Sequence, residues 1–119
     1  MQNYKDLKVW EKAHFVTLEI YKITKDFPKE EVYGLTSQMR RSAISVPANI
    51  AEGCGKFTKP DFANFLQIAL GSANETEYYL LLAKDLKYLD NQAFTNLLAE
   101  INQFKAMLIG LINKVRNKE

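Results

Sequence analysis

Cysteine and histidine each occur once in this chain of 119 residues, as Cys54 and His14. A single cysteine excludes an intrachain disulfide, and the pair cannot furnish the Cys/His set of a structural zinc site. A carboxylate-bridged metal centre in a helical bundle draws a Glu-x-x-His motif from each of two helices, and here Glu11 and His14 supply it once. Proline and glycine are scarce, at three and five residues. No apolar run approaches the ~20 residues that cross a bilayer. Met1 to Trp10 mixes Lys5, Asp6 and Lys8 with apolar residues instead of carrying the apolar stretch of a secretion signal. These absences point to the cytoplasm. They also point to one domain over residues 1–119, long enough to fold on burial alone.

Catalytic machinery is equally thin. Cys54 as a nucleophile would need a base such as His14 held beside it, and nothing in the spacing brings the two together. Gly53-Cys54-Gly55-Lys56 is too short for a phosphate-binding loop and has no strand before it. Glu75 and Glu77 stand two apart, so on a helix they point away from each other and cannot form one acid/base pair. No cofactor site and no enzymatic activity are expected.

What the chain has in abundance is helical period. Val9, Ala13, Val16, Ile20, Ile23 and Phe27 step by fours and threes, which predicts a first helix from Asp6 to Asp26, ended by Phe27-Pro28. After the Tyr33-Gly34 turn, Leu35, Met39, Ala43, Val46 and Ile50 predict a second helix. Pro47 should kink it, and Gly53 should end it in a left-handed conformation. Thr58-Lys59-Pro60-Asp61 reads as a capped start for a third helix reaching Lys87, with Phe62, Phe65, Leu66, Ala69, Ala73, Leu80, Ala83 and Leu86 inward. Asp90 or Asn91 caps a fourth, carried by Phe94, Leu98, Ile101, Phe104 or Lys105, Leu108, Leu111 or Ile112, and Val115. No segment alternates as a strand does. The fold class expected is all-α: an antiparallel up-and-down four-helix bundle. Its apolar positions exceed what one bundle core needs, so part of that surface is expected to meet another subunit.

Charge is small overall, at +2, but uneven. Residues 34–60 set Arg40, Arg41, Lys56 and Lys59 against Glu52 alone, residues 61–101 are net acidic, and the tail from 102 holds Lys105, Lys114, Arg116 and Lys118 against Glu119. Arg40, Arg41, Lys56, Lys59, Lys114 and Arg116 are therefore the candidate nucleic-acid contacts. Tyr33 and Phe57 flank the first basic stretch and could stack on bases, although packing on the core is the expectation for both. Gln38, Arg41, Ser45, Asn49 and Glu52 make a polar stripe along the second helix. With Glu75 of the third helix, Gln38, Asn49 and Glu52 are expected to form a structural polar network that sets helix register.

The block from Tyr33 to Gly53, reading YGLTSQMRRSAISVPANIAEG, resembles the signature of the four-helix bundle proteins encoded in intervening sequences of bacterial 23S ribosomal RNA genes. Trp10, Ala13, Phe27-Pro28, Phe62, Phe65-Leu66, Ile68-Ala69, Gly71-Ser72 and Glu75 agree with it, so the likeness runs from about Tyr4 to Val115. Lys87 departs from it, standing where members often have glycine in a turn. The resemblance implies a homo-oligomer shaped as a closed pentameric ring, with no established enzymatic activity and no cofactor. It also implies similarity to the accessory protein of diversity-generating retroelements, which binds nucleic acid and a reverse transcriptase. The partners it implies are RNA or DNA, or a polymerase-type protein.

Overall fold

The computed structural model describes residues 2–117. They form four α-helices: α1 (Lys8–Thr24), α2 (Leu35–Cys54), α3 (Lys59–Asp85) and α4 (Asn91–Asn117). Among the described residues there is no strand, and none of these helices is long and apolar enough to cross a membrane. Each helix packs on the next, and α4 returns to α1, so the four enclose one core in a body 48 × 24 × 20 Å. The connections after α2 and α3 are only a few residues long, which forces an antiparallel arrangement. Val16, Ile20, Met39, Ile50, Leu66, Leu80, Ile101, Phe104 and Leu108 lie at the centre with almost no exposed surface. Truncating one of the larger of these to alanine should cost about 2–5 kcal/mol.

The helix starts follow local chemistry. Thr58 Oγ1 accepts from the Asp61 N–H at 3.2 Å, and Asp90 Oδ1 accepts from the Ala93 N–H at 2.8 Å. Both satisfy donors that a first helical turn leaves unpaired. α2 has no side-chain cap of its own at Gly34. Instead Glu31 reaches across, its Oε1 accepting from the Leu35 N–H at 3.0 Å and its Oε2 from the Tyr88 hydroxyl at 2.9 Å. Those bonds hold the Glu31 carboxyl below its ordinary pKa and, through Glu31, raise the Tyr88 hydroxyl. Gly34 makes this reach feasible, because a Cβ there would stand 2.7 Å from Glu31 Oε1.

Three helix ends differ from the sequence expectation. α1 stops at Thr24, two residues early, while Phe27 still packs in the core against Tyr88. Gly53 is helical, with no positive φ, and α2 ends one residue later. What it supplies is space: a Cβ would lie 3.0 Å from Phe65 Cβ and 3.1 Å from Phe62 Cδ1, where α2 meets α3. α3 ends at Asp85 and leaves Leu86 exposed. Lys87 takes the left-handed turn with φ 67°. Its N–H donates to Lys84 O and that of Tyr88 to Ala83 O, both at 2.9 Å, the paired bonds of a Schellman turn.

α2 continues through Pro47 without interruption. Proline has no N–H, so the Ala43 carbonyl lacks its helical donor. The Thr17 hydroxyl of α1 stands in, 3.2 Å from Ala43 O and 2.9 Å from Ala13 O.

Candidate functional site

The bundle's lower end gathers the N-terminus of α1, the C-termini of α2 and α4 and the start of α3. The Gln2 N–H donates to Cys54 O at 3.1 Å and draws the leading segment across this end. Beside it opens a cleft of about 380 Å³. Leu7, Phe62, Leu111 and Val115 give it apolar walls, and buried Cys54 lies behind them. Burial pushes the Cys54 thiol above its ordinary pKa, which keeps it protonated and a poor nucleophile.

Three cations line this cleft from three different elements. Lys56 comes from the α2–α3 connection, Lys59 from the first turn of α3 and Lys114 from the last turns of α4. Among the described residues, none that lines the cleft carries a carboxylate. Lys56 Nζ sits 4.9 Å from the centre of the Phe65 ring, which holds the ammonium near the cleft without neutralising it. Phe57 stands at the mouth and is 86% exposed. Tyr33, near the opposite end, is 96% exposed. Neither aromatic packs on the core, contrary to the sequence expectation. Both sit in turns whose backbone leads the side chain off the bundle.

The other candidate contacts do not join this site. Arg40 is half-buried and bound within the protomer: its Nε donates to Thr24 Oγ1 at 2.8 Å, and its Nη2 to Tyr21 O at 3.3 Å. Its guanidinium also lies 4.5 Å from the Tyr21 ring centre. Arg40 thus closes the C-terminus of α1, where unpaired carbonyls and the helix dipole favour a cation. Those bonds tie Arg40 within the protomer, away from the cleft. Arg41 is exposed on α2, close enough to Tyr79 of α3 to act on its hydroxyl. Arg116 is exposed on α4 and donates to Gln67 Oε1 of α3.

The expected polar network also takes different members. Gln38, Glu52 and Glu75 are exposed, and Glu75 only accepts from Tyr79 of its own helix, at 2.9 Å. Asn49 is half-buried and donates to Ser45 O at 2.8 Å and Ser45 Oγ at 2.9 Å. From there the chain of bonds crosses to α3 through Ser45 and Ser72 at 2.9 Å, and again through Thr76 to Ser42 at 2.9 Å. Ser45 of that stripe, with Ser42, Ser72 and Thr76 beside Ala69 and Ala73, does the registering that its charged members were expected to do. Among the described residues no buried side-chain polar atom lacks a partner.

His14 is exposed and stacks on Trp10 at 4.9 Å. Among the described residues no cluster of His, Cys, Asp and Glu could hold a metal ion.

Fold and end cleft together define a small helical-bundle protein whose distinctive surface is basic and aromatic. The profile of the 23S rRNA-intervening sequence proteins matches residues 5–110, and the chain belongs to that family. Among solved structures it is similar to a protein of unknown function from the S23 ribosomal protein family of Bacteroides thetaiotaomicron. The identity is 30% and the TM-score 0.79, over 87% of this chain and 97% of that one. No curated protein matches.

Proposed function

We propose that this protein is a non-enzymatic, homo-oligomeric binder of nucleic acid, and that the lower end of the bundle is its contact surface. The observation that carries this reading is the convergence of Lys56, Lys59 and Lys114 on one cleft whose described lining residues include no acid. Three ammonium groups from separate elements make a phosphate-binding face that the modest net charge of the chain conceals. One such patch is weak, and repetition around a closed ring would multiply it. Self-association draws support from Phe15 and Leu18 on α1 and from Tyr78 and Leu81 on α3, apolar side chains left in water on different sides of the bundle. Two unlike patches are what a head-to-tail ring requires. The same reading assigns the protein to the cytoplasm.

Fluorescence anisotropy with labelled RNA and DNA at roughly 50 and 200 mM salt tests it. Binding should fall steeply between the two salts, and Lys56→Glu with Lys59→Glu should abolish it without unfolding the protein. Absence of binding at the lower salt would favour the second reading, a scaffold for a polymerase-type protein. The exposed Phe15, Leu18, Tyr78 and Leu81 are the observation behind that alternative.

A further inference from the structure

We infer that the end cleft takes one unpaired nucleotide of a single strand, its base against Phe57 and its phosphates against the three lysines. This rests on the nucleic-acid reading above and narrows it to a strand class.

The lining has two chemistries, and one ligand class answers both. Phe57 leaves an aromatic ring at the mouth, 86% exposed, in front of the apolar walls formed by Leu7, Phe62, Leu111 and Val115. A planar ring with little polar demand on its faces is what such a surface would cover. Lys56, Lys59 and Lys114 line the same opening and favour an anion, and among the described residues no lining carboxylate opposes it. A nucleotide joins a planar base to a phosphate within the span of one small ligand. Base stacking on an aromatic beside a cationic track is the usual means of holding a single strand without reading its sequence.

Size excludes the alternative form of the polymer. A space of about 380 Å³ lies at the small end of ligand pockets, suited to one base and its sugar but not to a base pair. Bases in a duplex are stacked on one another and offer no face to Phe57. A duplex could therefore use only the lysines, whereas a single strand uses both features.

The test compares the whole protein on matched single-stranded and duplex oligonucleotides of ~10 nucleotides, DNA and RNA, by anisotropy at low salt. The single strand should bind about 10-fold more tightly than the duplex. Phe57→Ala should erase that preference while leaving duplex affinity within about 2-fold, and Phe57→Tyr should retain it. Because Phe57 is exposed, the variants should keep their helical circular dichroism. Equal affinity for the two forms, or an unchanged preference in Phe57→Ala, overturns this inference and leaves the lysine-based reading standing. If neither form binds, that reading falls and this one with it.

Discussion

The Thr17 hydroxyl on α1 is hydrogen-bonded to the carbonyl of Ala43, the very acceptor that Pro47 deprives of its helical donor. An interior proline, which would otherwise leave a buried carbonyl unpaired, is thereby turned into a cross-link between α1 and α2 at 3.2 Å. Thr17 and Ala43 are both buried, so water cannot substitute. Thr17→Val keeps the shape and removes the donor, and should destabilise the fold by about 1–3 kcal/mol. In a Pro47→Ala background, residue 47 regains an N–H for Ala43 and the same change should cost clearly less. Urea denaturation of the four proteins in a double-mutant cycle measures the coupling. Additive effects would mean that the two positions act independently.

Lys87 occupies a left-handed turn that glycine enters without steric penalty. A side chain there costs roughly 1–2 kcal/mol, part of which glycine gives back through its freer unfolded chain. Lys87→Gly should therefore stabilise the protein by about 0.5–1 kcal/mol. Thermal unfolding would register this as a small rise in Tm, and a fall would show that the lysine side chain contributes more than its backbone costs.

Local signals and tertiary ones separated cleanly in this chain. Thr58 and Asp90 were legible as caps because a cap and the N–H it satisfies lie three residues apart. The end of α3 was placed less well, at Lys87, whereas the helix stops at Asp85 and Lys87 takes the turn. Arg40 was not legible. Its role depends on where the Thr24 hydroxyl and the Tyr21 carbonyl of α1 fall, sixteen and nineteen residues away in sequence. The stripe of Gln38, Arg41, Ser45, Asn49 and Glu52 has the spacing of a buried face, yet only Ser45 and Asn49 turn inward. Gly53 looked like a terminator because glycine so often is one, whereas its demand is contact distance to Phe62 and Phe65. The end cleft needed the antiparallel fold, since Lys114 comes to it from more than fifty residues beyond Lys59.

Glu31 ties the N-terminus of α2 to Tyr88, and its pKa is lowered in the fold, first by the Leu35 N–H and then by the Tyr88 hydroxyl. A group with a depressed folded pKa contributes stability above its unfolded value and loses it as pH falls through the folded one. Stability should thus decline as the pH drops below the ordinary glutamate value of 4.5. Tyr88 is raised, so its share persists up to the ordinary tyrosine value of 10.0 and fades above it. Glu31→Gln should flatten the acid side of the stability profile between pH 3 and 6 relative to the parent protein. Unfolding midpoints across that range provide the check, and parallel profiles would remove Glu31 as the cause.

Arg40 and Lys59 give opposite expectations from residues of the same charge. Arg40 is half-buried, bonded to Thr24 and Tyr21, and sits toward the end of the bundle opposite the cleft. Arg40→Gln should lower stability by about 1–2 kcal/mol, since bonds from a charged donor are lost and carbonyls at the end of α1 are left less well paired. It should leave affinity for nucleic acid nearly unchanged. Lys59 is exposed, lines the cleft and makes no ion pair with a described residue. Lys59→Glu should shift stability by no more than about 0.5 kcal/mol, as is usual for a surface change. It should weaken binding markedly, because a phosphate then meets a carboxylate in place of an ammonium. It should also reduce the dependence of log affinity on log salt by about one unit, as expected when a phosphate contact is removed. The two variants measured side by side, by urea denaturation and by anisotropy, separate a fold-holding arginine from a ligand-holding lysine. If Arg40→Gln weakened binding while the fold stayed intact, the contact surface would have to be moved from the cleft to the far end of the bundle.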